Sequence, residues 1–479
     1  MNGVIKGFPD ICSEVPKALQ KGNLAKRASI YPAGNRLENI ESSFGLALHM
    51  HQPTIPAAGQ DLRTAGLISN LQHMMENPGI GDNHNAAVFF WCYWRMADFI
   101  QELVDAGRYP RIMLDYSGNL LWGLSQIEAG KALEKLKFVT QNKKYYPYVE
   151  WLGTMWSHSV VSSTPVPDII LHIRAWQSHF SSIFGPEALS RIKGFSPPEM
   201  HLPIHPDVCY EYVKALKACG YQWLMVQEHT IENLNGSPIT RPHFPHRLRA
   251  KNSAGKIAEI TVLIKTQGSD TKLVAQMQPF YEAKTRKPED YTAKKIPAFI
   301  LQISDGENGG VMMNEFPEAY KKVFEQVGPQ GTVALNGSQY LALVESAGLK
   351  KEEFIAVQPV SQHKIWEFFE TDAKMNLSLA ISKAKEKYPG FSLEKASWTN
   401  DRNWVKGYED VIDPINSLSI AFHEKVDKNK PYRKEEDYCR ALTYLLLSQT
   451  SCFRYWGSGV WTEYAKEICR RGQEAVKKI

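Results

Sequence analysis

Short apolar runs alternate along the chain with longer stretches whose apolar residues recur every three or four positions. Such alternation is typical of βα units that build a parallel sheet. We therefore predict seven strands. The runs are FGLALHMHQ (44–52), RIMLDYSG (111–118), YVEWLGTMW (148–156), IKGFSPPE (192–199), YQWLMVQE (221–228), AEITVLIKT (258–266) and AFILQISDGE (298–307).

Helical segments lie between these runs and after them. The spacing predicts helices over 86–107, with Gly107 as a C-terminal cap, and over 206–220, which begins at Pro206. After about residue 320 the pattern is helical, with no further clear strand. We therefore predict an N-terminal arm (1–43), an α/β barrel with insertions (44–320) and a helical region packed against it (321–479).

Six of the seven runs end in, or close to, a side chain that could do chemistry. In a closed parallel barrel the active site lies at the C-terminal ends of the strands, where such side chains would meet. The alternative is that strands end in polar residues because loops are hydrated, but six cases favour a shared site. The side chains are His49 and His51, Glu150, Glu199, Gln227 and Glu228, Lys265, and Asp305 and Glu307.

Composition excludes several classes of protein. Hydrophobic residues make up 43% and charged residues 22%, so a disordered chain is excluded. A net charge of +5 is too small to indicate nucleic acid as a partner, and no run of about 18 apolar residues indicates a membrane span. Seven cysteines without a C-x-x-C motif favour free thiols and a cytoplasmic, soluble protein.

Two carboxylates are candidates for catalysis. Glu199 follows two prolines, which stiffen its backbone as a nucleophile requires, although a simple loop carboxylate would look the same. Asp305 follows an apolar run that would raise the pKa of an acid catalyst, although Asp-Gly is also a common turn. Such a pair fits glycoside hydrolysis: a gap of about 5–5.5 Å implies retention, and about 6.5–9.5 Å implies inversion.

Histidines and tryptophans add to the candidate site. His49 and His51 alternate on one strand and so point to one face. Their spacing suits either a metal or sugar hydroxyl groups, and His158 is a third candidate. Among the 12 tryptophans, Trp404 and Trp456 could stack on a sugar ring, although core packing is the commoner role.

Five motifs then resemble, in order, the conserved regions of glycoside hydrolase family 57. They extend from about residue 44 to about 460. Any one motif is weak, whereas five in order are specific. The motifs are HMHQP (49–53), VEWLGTMWSH (149–158), GFSPPE (194–199), SDGEN (304–308) and LLLSQTSCFRYWG (445–457).

The resemblance implies a distorted (β/α)7 barrel followed by a helical region, and retaining chemistry on α-glucans without a metal or cofactor. It implies that Glu199 is the nucleophile and Asp305 the general acid/base. The candidate substrate contacts include seven residues of these motifs and one tryptophan outside them. The seven are His49, His51, Gln52, Glu150, His158, Glu307 and Trp456, and the eighth is Trp404.

Two departures from the family pattern leave the sugar subsites open. Cys452 stands where the fifth region usually has Asp, and Ser196 and Pro197 stand where Trp is common. One alternative is therefore a glucan-binding protein without activity. Another is a metal-dependent amidohydrolase or sugar deacetylase in which His49 and His51 bind the metal together with His229 and Lys265.

Overall fold

A computed structural model describes residues 39–266, 271–307, 315–369, 375–393, 409–428, 436–455 and 459–479. Each of the seven predicted runs contains a strand of the central sheet. We number these strands β1 to β7 in chain order. They are Ile40–Met50, Ile112–Tyr116, Val149–Trp151, Gly194–Phe195, Trp223–Gln227, Ile257–Lys265 and Ala298–Asp305.

The seven strands form a closed ring in which all neighbours are parallel. The order around the ring is β3-β2-β1-β7-β6-β5-β4. A single bridge between Gly153 and Phe195 closes it between β3 and β4. The β6–β7 contact is also narrow, with Lys265 opposite Leu301 as its registered pair. The predicted distorted (β/α)7 barrel is confirmed.

Further strands extend the sheet, and one expectation about them was wrong. We expected no strand after residue 320. Gly331–Ala334, however, pairs with the start of β1, and Ala356–Pro359 pairs with the strand His246–Lys251. Strand β1 begins at Ile40, so the end of the expected arm 1–43 belongs to the barrel. Ile231–Asn233 and His246–Lys251 also belong to this sheet. Thr54–Ala58 pairs with Gly66–Ser69, and Glu289–Tyr291 pairs with Lys294–Ile296, in two separate two-stranded sheets.

Helices cover the barrel and build the C-terminal region, as the apolar spacing predicts. Helix Val166–Phe184, for example, packs Phe180 against Trp151 of β3. In the C-terminal region, the absence of a side chain at Gly472 lets Leu418 approach closely. The helices of at least ten residues are Ala86–Asp105, Lys131–Gln141, Val166–Phe184, Pro206–Ala218, Glu315–Phe324, Gly337–Ser346, Leu377–Lys387, Glu409–Lys428, Glu436–Ser448 and Val460–Val476. Shorter ones are Asn70–Glu76, Gly118–Gln126, Pro186–Ser190, Thr271–Ala275, Gln278–Ala283, Gln362–Phe369 and Cys452–Tyr455.

Two findings bear on the expectations drawn from composition. None of the helices in the described segments is both long enough and apolar enough to cross a bilayer. Cys439 is in a disulfide, which the sequence did not predict. The free cysteines of the described segments are Cys92, Cys209, Cys219, Cys452 and Cys469.

Candidate active site

The C-terminal ends of three neighbouring strands bring charged side chains together. His49 of β1 lies in register with Asp115 of β2 on one side and with Asp305 of β7 on the other. His49 Nδ1 is 3.0 Å from Asp115 Oδ2, and both side chains are buried. Burial lowers the pKa of His49, but the charge and the hydrogen bond of Asp115, with a smaller contribution from Asp305, outweigh it and raise the pKa to about 9. His49 is therefore an imidazolium at neutral pH.

The imidazole rings of His49, His51 and His158 form a stack. The His158 ring lies 4.5 Å from that of His49 and 4.4 Å from that of His51, centroid to centroid. Burial and the charge of His49 hold the pKa of His51 well below its usual value. Burial and its two histidine neighbours do the same for the pKa of His158. The stack thus combines one charged and two neutral rings, which limits repulsion between them.

Both ring nitrogens of His51 already have partners in the protein. Nδ1 lies 2.7 Å from the Ser117 hydroxyl, and Nε2 lies 3.3 Å from the Thr450 hydroxyl. Ser117 is also the N-cap of helix Gly118–Gln126, which fixes its position. His51 can therefore contact a sugar through Nε2 only if Thr450 moves or shares the hydrogen bond.

Glu199 reaches the same stack from β4. Its carboxylate lies 3.8 Å from His158 Nδ1, and 17% of its side chain is exposed. Its backbone has φ +58°, in the left-handed region, directly after Pro197 and Pro198. Such a conformation is unfavourable for a residue with a side chain, and it is typical of functional sites. Two prolines thus restrict the backbone before Glu199, and Glu199 itself adopts a strained backbone conformation.

Cys452 is close enough to Glu199 for the two side chains to interact electrostatically. Burial, followed by the charge of Glu199, raises the pKa of the Cys452 thiol to about 12. A neutral thiol therefore neighbours the candidate nucleophile at the position where the family pattern has a carboxylate.

Glu307 forms the other wall of the site. It accepts hydrogen bonds from the His51 backbone N–H and the Tyr93 hydroxyl, each at 3.4 Å. Burial, followed by the charge of Asp305, raises the pKa of Glu307 to about 8. Glu307 is therefore protonated at neutral pH, whereas its neighbour His49 is charged. The Arg95 guanidinium donates to the Gly306 carbonyl at 3.1 Å and so fixes the turn between the two acids.

Gln52 supports Glu307 indirectly, through Tyr93. Its amide donates to the Tyr93 hydroxyl at 3.0 Å and its carbonyl accepts from Asn70 at 2.8 Å. Because both ends of the buried amide are engaged, Gln52 holds Tyr93 against Glu307. Direct substrate contact by Gln52 stays a prediction.

Glu150 does not join the cluster. Its carboxylate accepts hydrogen bonds from the backbone N–H and the hydroxyl of Ser338, at the start of helix Gly337–Ser346. It pairs in register with Met113, two residues before Asp115 on β2, so it lies deeper in the barrel. Its observed contacts are those of a helix cap, and the structure places it away from the stacked histidines.

Some predicted residues have other positions, and others were missed. Trp404 and Trp456 lie outside the described residues. Lys265 is buried at the end of β6 opposite Gln227, and burial lowers its pKa to about 8. The sequence analysis missed Asp115 because its run, RIMLDYSG, does not end in an ionisable side chain. The aspartate inside this apolar run could have indicated it. The side chains of Ser117 and Tyr93 carried no signal in the sequence, whereas Thr450 and Ser451 lie within the fifth motif (445–457) but were not singled out.

Within the described segments no three His, Cys, Asp or Glu side chains are arranged to hold a metal ion. The arrangement instead offers two acidic side chains, Glu199 and Asp305, on either side of a histidine stack. This pairing of a strained carboxylate with an acid beside an imidazolium suits proton transfer and nucleophilic attack.

Comparisons with known proteins support the fold. No family model matches the sequence, and no curated protein is significantly similar to it. The structure is similar to a 4-α-glucanotransferase from Thermococcus litoralis, with TM-score 0.53, 16% identity and 91% of this chain covered; the chain spans 57% of that enzyme. It is also similar to a branching enzyme of glycoside hydrolase family 57 from Thermococcus kodakaraensis, with TM-score 0.50, 14% identity and 90% and 88% of the two chains covered. The chain therefore has the fold of this glycoside hydrolase family 57 enzyme.

Proposed function

We propose that the chain is a retaining glycosidase or transglycosylase acting on α-glucans. Glu199 is the nucleophile and Asp305 the general acid/base. The observation that carries the proposal is the convergence of both acids on one histidine stack. Glu199 lies 3.8 Å from His158, His158 stacks on His49, and His49 is paired in register with Asp305.

The reaction follows from these positions. The Glu199 carboxylate attacks the anomeric carbon while the bond to the leaving oxygen breaks and Asp305 gives that oxygen its proton. A glycosyl ester of Glu199 results. Asp305, now ionised, takes a proton from water or from a sugar hydroxyl, whose oxygen attacks the anomeric carbon and releases Glu199. Water gives hydrolysis and a sugar gives transfer.

His49 serves this cycle as a fixed positive charge. Asp115 holds it protonated on one side, and Asp305 lies next to it on the other. A buried imidazolium stabilises the ionised form of Asp305 that exists between the two steps. Glu307, protonated at neutral pH, adds no second negative charge to that wall.

The substrate class rests on similarity of fold. One similar structure is named a 4-α-glucanotransferase and another a branching enzyme. Both names refer to α-glucan chemistry, and the five motifs resemble the same family. We therefore propose an oligo- or polysaccharide of α-linked glucose as substrate.

The first experiment is an incubation with maltoheptaose followed by chromatography of all products. Shorter products alone indicate hydrolysis, and longer and shorter products together indicate transfer. Glu199→Gln and Asp305→Asn are expected to lose at least about 10³-fold in kcat. Glu187→Gln, which alters an exposed glutamate in the same segment of the chain, is the control and retains activity.

A second experiment tests the role of Glu199 itself. Glu199→Gly suits the left-handed backbone and leaves space for azide. With an activated α-glucoside, azide is expected to restore turnover and to give a glycosyl azide of inverted configuration. If Glu199→Gln were as active as the wild type, the assignment of Glu199 as the nucleophile would be refuted. Glucan binding without turnover by the wild type would instead favour a non-catalytic binding protein, and loss of activity with a chelator would favour a metal-dependent hydrolase.

A further inference from the structure

A buried polar network connects the C-terminal region to the outside of the barrel. Its centre is Asp168, in the first turn of helix Val166–Phe184, whose side chain is fully buried. Asp168 Oδ1 lies 2.6 Å from His423 Nε2, and Oδ2 accepts from the Gln449 amide at 2.7 Å. His423 belongs to helix Glu409–Lys428, so one carboxylate holds two separate parts of the C-terminal region.

Gln449 is itself fully buried and engaged at both ends. Its amide nitrogen donates to Asp168, and its carbonyl oxygen lies 2.9 Å from His172 Nε2. Asp168 and His172 are one turn apart on the same helix, so Gln449 lies across two anchors at i and i+4. This arrangement leaves the glutamine side chain little freedom.

The residues directly after Gln449 enter the active site. The Thr450 hydroxyl lies 3.3 Å from His51 Nε2, and the Ser451 hydroxyl lies 2.6 Å from His158 Nδ1. The Ser451 N–H also donates to the His158 carbonyl at 3.2 Å. Cys452 follows, close enough to Glu199 for the two side chains to interact electrostatically.

We propose that Asp168 and Gln449 are positioning residues that hold segment 450–452 against His51, His158 and Glu199. Asp168 touches none of these three residues and acts through Gln449. The barrel strands alone leave this wall open, since Thr450 and Ser451 come from after helix Glu436–Ser448. The kinetic consequence of the proposal rests on the proposed function, whereas its structural consequence does not.

The structural test uses Cys452 as a reporter. Cys452 is buried, with 8% of the residue exposed, and its thiol is expected to become accessible when segment 450–452 leaves the site. Gln449→Met keeps the approximate volume and removes both hydrogen bonds. Peptide mass spectrometry after a short pulse of a thiol-alkylating reagent on the folded, full-length chain is expected to show Cys452 labelled at least about tenfold faster than in the wild type.

Thr443→Val is the matched control. It removes a side-chain hydrogen bond to the Cys439 carbonyl within helix Glu436–Ser448, at a buried position on the same helix that leads into segment 450–452. The labelling rate of Cys452 is expected to stay within about twofold of the wild type. Equal acceleration in both variants would mean general loosening of the helix and would overturn the proposal.

His423→Leu provides a second variant in case Gln449→Met does not fold. The His423 side chain is 26% exposed, so its replacement is better tolerated. The leucine side chain has no hydrogen-bonding atom, so the variant removes one of the two bonds to Asp168, and Cys452 labelling is expected to rise by a smaller factor, about two- to fivefold. Labelling at the wild-type rate in a folded Gln449→Met, or in His423→Leu if the former does not fold, would refute the proposal.

Kinetics distinguishes positioning from the proposed chemistry. Gln449→Met is expected to lower kcat about 10- to 100-fold on the maltooligosaccharide while KM changes less than about threefold. If the wild type has no glycosidase activity, the proposed function fails but the labelling experiment still tests the positioning role. If labelling is unchanged while Glu199→Gln abolishes activity, the positioning role alone fails.

Discussion

Asp115 and His49 form a buried pair across two neighbouring barrel strands, with Oδ2 of one 3.0 Å from Nδ1 of the other. The pair keeps His49 protonated at neutral pH in the candidate site. Asp115→Asn is expected to lower the pKa of His49 and to destabilise the protein by about 3 kcal/mol at pH 6, since it leaves a buried histidine without its charge partner. Histidine resonances followed by NMR titration measure the pKa, and urea unfolding measures the stability. Asp98→Asn, in a half-exposed pair with Lys135, is the control and changes stability by less than about 1 kcal/mol.

The His49 charge also gives the stability a defined dependence on pH. The pKa of His49 in the folded chain, about 9, exceeds its ordinary value of 6.5. The resulting stabilisation is fully present below pH 6.5 and is lost as the pH rises through about 9. The free-energy difference between the wild type and Asp115→Asn is therefore expected to shrink between pH 6.5 and 9.5. A difference that is constant over this range would contradict the charged state assigned to His49.

Glu307 gives a second pH effect of the same sign. Its folded pKa of about 8 lies above the ordinary 4.5, so the folded chain keeps a proton that the unfolded chain has lost. This proton makes stability fall as the pH rises from about 4.5 to 8. Glu307→Gln is expected to remove that fall and to raise stability by roughly 1–3 kcal/mol at pH 8.5, with little change at pH 4. Thermal unfolding at both pH values provides the measurement, and equal stability of the two proteins at pH 8.5 would argue against a protonated Glu307.

Gly118 sets the position of the segment that carries His158. A Cβ at Gly118 would lie 2.2 Å from Trp156 Cδ1, and the Gly118 N–H donates to the Trp156 carbonyl at 2.7 Å. Gly118→Ala must displace the buried Trp156 ring and is expected to destabilise the chain by about 1–3 kcal/mol. Gly79→Ala, at a position with nothing within 4 Å, is the control and is near neutral. Chemical denaturation of both variants checks this, and an unchanged midpoint in Gly118→Ala would show that Trp156 can move at no cost.

Cys452 supplies a test of the charge balance around Glu199. Cys452→Asp introduces a second carboxylate beside the proposed nucleophile, and like charges raise each other's pKa. The acidic limb of the pH profile of kcat/KM is expected to move upward by roughly one pH unit. Cys452→Ser keeps the site neutral and is expected to leave the limb in place. An unshifted limb in Cys452→Asp would show that Glu199 does not govern it.

The barrel could be predicted from sequence because most of its strands, β1, β2, β5, β6 and β7, lie in apolar runs separated by amphipathic helices. The short strands β3 and β4 lie within longer runs that end in polar residues. The strands Gly331–Ala334 and Ala356–Pro359 could not, since four residues are too few to show a period. Both lie within a region whose stronger signal is helical.

The site could be predicted best where a side chain lies at the end of its own strand or shortly after it. His49 and Asp305 lie at or next to the ends of β1 and β7, and Glu307 and Glu199 follow β7 and β4. His158 lies further along the chain from β3 and was predicted from its motif. Glu150 also belongs to its strand, but the stagger between neighbouring strands places it opposite Met113, below the level of His49. Stagger is a property of pairing between strands, so one strand's sequence does not contain it. Segment 450–452 reaches the site through tertiary contacts alone.

The bridge between Gly153 and Phe195 divides the site into two halves. Only the Gly153 N–H to the Gly194 carbonyl and the Ser196 N–H to the Gly153 carbonyl, each 2.9 Å, join the backbones there. His158 follows one side of this seam and Glu199 follows the other. The separation of His158 from Glu199 therefore depends on one of the two narrow joints of the barrel, and opening of this joint would move the Glu199 carboxylate away from the His158 ring. Hydrogen exchange at the amides of Gly153 and Ser196 reports the opening of this joint directly.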